Sequence, residues 1–226
     1  MMLSAYTSKL LIAAVITMKI AALSLVMGMV MAVLLSAMEM SPFAPMRWFV
    51  AGFTSIFRGL PEMLVIFFIY FGSTPALFAL TGHYVQLSPF WLGSVALALI
   101  FASYATQTLR GAFKAVPLGQ FHAARAMGLS KFTTLTRIVF PQMVMHAIPG
   151  LSNQWLVLLK DTALVSLIGA SELMRQAYVT ATGTSDYFNW YLSAGAIYLA
   201  ITLLSKRGIT MIERKFHIHG HSGAAG

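Results

Sequence analysis

Residues 9–37 read KLLIAAVITMKIAALSLVMGMVMAVLLSA, an apolar run whose interior is broken by a single charge, Lys19. A helix rises about 1.5 Å per residue, so crossing roughly 30 Å of hydrocarbon takes about 20 apolar residues, and this run exceeds that length. It reads as a membrane-spanning helix. Searching outward finds four more such runs, at residues 48–71, 91–112, 149–168 and 188–204. Composition agrees: only 9% of the 226 residues are charged and 58% are hydrophobic, with a mean hydropathy of +0.78. A soluble domain carries about 25% charged residues. The fold expected is an all-α membrane protein of five transmembrane helices, with no chain left for a second soluble domain. The absence of cysteine excludes a disulfide-stapled module and a Cys-ligated zinc or iron–sulfur site.

Basic residues set the orientation. Arg47, Arg110, Lys114, Arg125, Lys131, Arg137, Lys206, Arg207, Arg214 and Lys215 fall on one face of the five-span arrangement, against Lys9 and Arg175 on the other. The C-terminus is therefore expected inside and the N-terminus outside. The excess of 15 Lys and Arg over 6 Asp and Glu is read as orientation rather than as a nucleic-acid footprint. Met1-Met2 brings no basic segment before the first apolar run, so that run is not read as a removable signal peptide. Trp48, Trp91, Trp190 and Tyr191 lie at expected span ends, where amphipathic rings favour the interface.

The longest cytoplasmic connection, residues 117–142, reads PLGQFHAARAMGLSKFTTLTRIVFPQ. Gln120 to Met127 is rich in helix formers. Gly128 can take the left-handed conformation that ends a helix, and Ser130 can cap the next one, which should run until Pro141 interrupts it. Such a basic helix–glycine–helix unit is either a docking knob for a cytoplasmic partner or an ordinary connection. Its HAARAMG, residues 122–128, followed by Ile138-Val139-Phe140-Pro141, resembles the coupling loop of bacterial ABC importer permeases, Glu-Ala-Ala, three residues, Gly, then a Pro-terminated apolar segment.

RGLPEMLVIFFIYFG at 58–72, NQWLVLLKDTALVSLI at 153–168 and SYATQTLRGAFKAVPLGQ at 103–120 extend the match to the polar amino-acid uptake branch, and the last two look most like the Q-type permease of arginine importers. The resemblance implies a type I importer fold in the bacterial inner membrane, with this chain forming the pathway by alternating access. Its implied partners are a cytoplasmic ABC ATPase dimer, a second permease that is identical or related, and an external or periplasmic amino-acid-binding protein. ATP and magnesium would sit on the ATPase, and this chain would bind no cofactor. Consistently, no G-x-x-x-x-G-K-[ST] phosphate loop is present; Gly128-Leu-Ser-Lys131 lacks its spacing. Coupling would fall to His122, Ala123, Ala124, Arg125, Gly128 and Leu129. His122 replaces the family's opening Glu, so an ion pair from that carboxylate does not carry over.

Charges inside spans are costly and need a partner or a watery cavity. Arg58 and Glu62, around Pro61, can face each other at i, i+4 if the helix continues, as a self-contained pair, or can serve a substrate. Asp161 either partners a cation on a neighbouring span or presents its charge to a cationic amino acid. Asn153, Thr162 and Ser166 add hydrogen-bonding groups to this expected pathway, and Asn153, Gln154 and Ser166 serve equally as packing contacts. Histidine and glutamine are the rival substrates. An intramembrane enzyme or a lone channel is disfavoured, because no nucleophile or metal set sits in the spans. His217, His219 and His221 are read as part of a disordered tail, residues 217–226, rather than a metal site. The 15 methionines are read as apolar filler.

Overall fold

The computed structural model describes residues 2–85 and 87–217. The described chain is helical almost throughout: α1 (Met2–Glu39), α2 (Ala44–Gly59), α3 (Glu62–Thr81), α4 (Pro89–Ala115), α5 (Leu118–Ala126), α6 (Lys131–Thr134), α7 (Phe140–Asp161), α8 (Leu173–Thr184) and α9 (Tyr187–His217). A π turn, Leu135–Val139, joins α6 to α7, and a 3-10 segment, Thr162–Ile168, continues α7. His217, the first residue assigned to the tail, ends α9; residues 218–226 lie outside the described residues.

α4 is the central post, packed by α1, α2, α3 and α7. Lipid is as apolar as leucine, so helices in it associate through close packing of small side chains. Ala21, Ser24, Gly28 and Ala32 recur at three and four residues, form one face of α1 and are buried. They lie on the side of α1 packed on α4, where Ala98, Ala102 and Ala105 are also buried. A Cβ on Gly28 would stand 2.8 Å from the Ala98 carbonyl oxygen, so this close approach requires glycine. Ser24 Oγ crosses the seam to donate to the Ser94 carbonyl at 3.0 Å. Away from α4, Val26, Val30, Leu34, Phe68, Phe71, Leu199 and Leu203 point outward and exposed, as a lipid-facing surface requires.

The second expected span is not one helix. Leu60 (φ −93°, ψ 144°) and Pro61 (φ −56°, ψ 134°) are extended, separating α2 from α3. Proline lacks an N–H and drives the residue before it out of the helical region, so Pro61 breaks the span and the helix does not continue through it. Arg58 therefore ends one helix, Glu62 begins the next, and the i, i+4 facing pair does not form. By residue count α2 and α3 together reach about 54 Å against about 57 Å for α1, so the pair runs the length of one long helix with its break partway along.

Pro141 also behaves differently from expectation. The chain stays helical through it, because the π turn before it, in which the Phe140 N–H reaches back to the Leu135 carbonyl, widens the backbone where the proline ring would clash. The fourth expected span, residues 149–168, is divided between the end of α7, with Pro149 inside, and the 3-10 segment. Among the described residues, Tyr6–Glu39, Glu62–Thr81, Pro89–Ala115 and Tyr187–Met211 are the segments long and apolar enough to cross a membrane.

The expected connection at residues 170–187 is instead a packed helix, α8, capped by Glu172. This carboxylate is fully buried. It accepts the Arg175 N–H at 2.7 Å and the Tyr198 hydroxyl at 2.8 Å, with Thr17 Oγ1 at 3.4 Å. Thr17 Oγ1 in turn accepts the Leu173 N–H at 3.0 Å. One side chain thereby ties α1, α8 and α9 together.

The chain has no native cysteine, which makes its orientation directly measurable. In the permease complex, His83→Cys should react with an impermeant maleimide from outside and Gln120→Cys only after the cytoplasmic face is opened. Labelling of both from the same side would overturn the expected orientation.

Candidate functional site

The break between α2 and α3 puts Glu62 at the head of α3, facing a cavity of about 390 Å³ enclosed with α4 and α7. Its apolar wall is Ile100, Phe101, Val157 and Leu158; its polar groups are Glu62, Tyr104, Asn153, Gln154 and Asp161. Ile100 to Tyr104 lie at the middle of α4, so the cavity sits halfway along the helices. A few convergent polar groups in a mostly apolar hollow of this size is the usual build of a small-molecule site. A larger groove of about 550 Å³ runs along α9, but one helix lines it alone and cannot enclose a ligand.

Of the six expected pathway residues, Glu62, Asn153 and Asp161 line the cavity. Arg58 stands beside it, its guanidinium carbon 5.2 Å from the centroid of the Tyr104 ring. Among the described residues the one salt bridge is Arg110 to Glu39, at 2.8 Å, and neither Arg58 nor Glu62 takes part in it. Thr162 and Ser166 do not join the cavity wall. One residue past Asp161 the helix has turned by about 100°, so Thr162 is buried toward α9, donating to the Leu159 carbonyl at 2.7 Å with the Tyr198 hydroxyl at 3.5 Å. Tyr104 was missed because a lone tyrosine in an apolar span carries no sequence signal. Gln154 Nε2 donates to Thr108 Oγ1 at 2.6 Å, the packing role weighed for it, while it also lines the cavity.

The second region projects from the helices. Leu129 and Gly128 donate backbone N–H bonds to Ala124 and Arg125 at 3.1 and 2.9 Å, the paired pattern that closes a helix on a left-handed residue. Gly128 has φ +73°. Ser130 Oγ then accepts the Thr133 N–H at 3.1 Å and starts α6. In α5 only Ala124 is buried; His122, Ala123, Arg125 and Gly128 are exposed and Leu129 half-buried. Met127 and Phe132 stand out at 67% and 78% exposure, an apolar tip between Arg125 and Lys131.

A polar hollow at mid-height, joined through α4 to an exposed helix–glycine–helix knob, is the layout of a transport subunit. Residues 7–218 match the family described as "Binding-protein-dependent transport system inner membrane component", and the chain belongs to that family. It is an inner-membrane permease subunit, one part of an assembly that includes a binding protein.

Over 217 residues it is 48% identical to the arginine ABC transporter permease protein ArtQ of Haemophilus influenzae, covering 95% of this chain and 96% of that one. It is 46% identical over 218 residues to ArtQ of Escherichia coli, covering 89% and 92%. A solved amino-acid ABC transporter, crystallised with histidines, superposes with a TM-score of 0.84 at 29% identity, covering 94% of this chain and 96% of that one.

Proposed function

We propose that this chain carries arginine, or another basic amino acid, through the cavity between α3, α4 and α7. The observation that carries the reading is the pairing of Glu62 and Asp161 on one half-buried wall. A cation leaving water needs anions to replace its hydration, and two carboxylates in one hollow are costly unless a cation joins them. The arginine permeases among its relatives agree in substrate class. Histidine is the competing reading, favoured by the histidine-containing transporter of similar fold.

In this reading residues 1–216 form one transmembrane domain of five spans, counting α2 with α3 and α7 with its 3-10 extension, with the C-terminus cytoplasmic. An ABC ATPase dimer holding ATP and magnesium docks on His122, Ala123, Ala124, Arg125, Gly128 and Leu129. A second permease, identical or related, completes the pathway, and ATP-driven movement of the knob opens the cavity to one side and then the other. The test is uptake by proteoliposomes holding the permease, its ATPase and its binding protein. Labelled arginine should accumulate only with internal ATP, and lysine should compete better than glutamine. Stronger competition by histidine than by arginine would move the assignment to histidine.

A further inference from the structure

Among the described residues Arg58 is left without a carboxylate partner by the break at Pro61, yet it is exposed at the level of the cavity. A guanidinium at mid-depth is costly unless it faces water or an anion. Its place is defined: it closes α2, four residues before Glu62, and rests on the ring of Tyr104, whose other contacts line the cavity. Cation–π contact holds the guanidinium plane without neutralising its charge, leaving its N–H groups free for a planar, two-oxygen acceptor. The same break starts α3 at Glu62, so the first backbone N–H groups of that helix add positive potential beside Arg58.

An amino acid brings an anion as well as cations. Its α-carboxylate would be repelled by Glu62 and Asp161, and the α2–α3 break is where a matching charge stands. We propose that Arg58 binds the substrate α-carboxylate, so that the amino acid lies with its carboxylate at the break and its cationic side chain toward Asp161. The inference rests on the substrate reading above and adds the polarity of binding to it. Arg58 is then a selector for amino acids over simple amines.

Agmatine, which is arginine without its carboxylate, isolates this contact. Binding of labelled arginine and agmatine to the detergent-purified permease–ATPase complex avoids selection by the binding protein. The wild type should hold arginine about tenfold more tightly than agmatine, the size of one charge-assisted contact in a partly wet site. Arg58→Gln should remove that preference by weakening arginine while agmatine stays within about twofold, and Arg58→Lys should restore part of it. Tyr104→Leu, which removes the platform, should weaken arginine more than agmatine.

Equal wild-type affinities for the two probes would overturn the proposal without any variant. So would an Arg58→Gln complex that loses both probes equally or keeps the wild-type preference. The parent reading fails separately: Asp161→Asn should weaken both probes alike, and no change there removes the acidic wall while leaving the Arg58 result standing. A wild-type complex that binds neither probe would overturn both.

Discussion

Gly128→Val should reduce ATP-dependent uptake about fivefold or more while the protein still inserts into the membrane. The reason is conformational, since a Cβ at Gly128 would meet nothing within 4 Å. At φ +73° the backbone itself resists a branched side chain, and a non-glycine residue held in a sparsely populated region costs about 1–3 kcal/mol. That is about fivefold to 150-fold in the population of the correct turn. The turn sets the angle between α5 and α6, so the apolar tip at Met127 and Phe132 loses its place relative to Arg125. ATP hydrolysis stimulated by the loaded binding protein should fall in parallel with uptake. Gly128→Asn is the control, because asparagine enters the left-handed region more readily than other side chains, and it should retain most of the activity. Full activity in Gly128→Val with an assembled ATPase complex would remove this turn from coupling.

The sequence carried the membrane class because twenty apolar residues in a row admit few other meanings in a chain this poor in charge. It carried the helix–glycine–helix knob because Gly128 and Ser130 are local signals, each acting within four residues. What local patterns did not carry was the outcome of competition between neighbouring segments. Pro61 could kink or break a span, and the structure has the break, with both halves packed on α4. Pro141 could end a helix or be absorbed, and the π turn absorbs it. Glu172 carried no signal in the sequence; its hydrogen-bond partners Thr17 and Tyr198 are distant in the chain, and no window on the sequence brings them together. The cavity was half readable: Glu62, Asp161 and Asn153 announced themselves as polar groups in apolar spans. Thr162 and Ser166 announced themselves equally but do not line the cavity, because each step along a helix turns the side chain by about 100°.

Asp161→Asn should weaken arginine binding by about tenfold to a hundredfold, the second large effect expected. The substitution keeps the shape and one acceptor oxygen and removes the charge, and a hydrogen bond to a charged group contributes about 1.5–3 kcal/mol. Asp161 is half-buried, which limits screening by water without abolishing it. Its neighbour Lys160 is exposed and points about 100° away around the helix, so removing the carboxylate does not strand a buried partner. Glu62→Gln should act in the same direction, and Glu62 has no salt-bridge partner among the described residues. The double variant Arg58→Gln, Glu62→Gln should therefore bind arginine more weakly than either single variant. A self-contained ion pair predicts the reverse, with the double variant recovering toward wild type. The readout is equilibrium binding of labelled arginine to purified complex, with basal ATP hydrolysis as the check on assembly. Recovery in the double variant would return Glu62 to a structural role, and unchanged affinity in Asp161→Asn would take Asp161, and with it the paired carboxylates, out of substrate recognition.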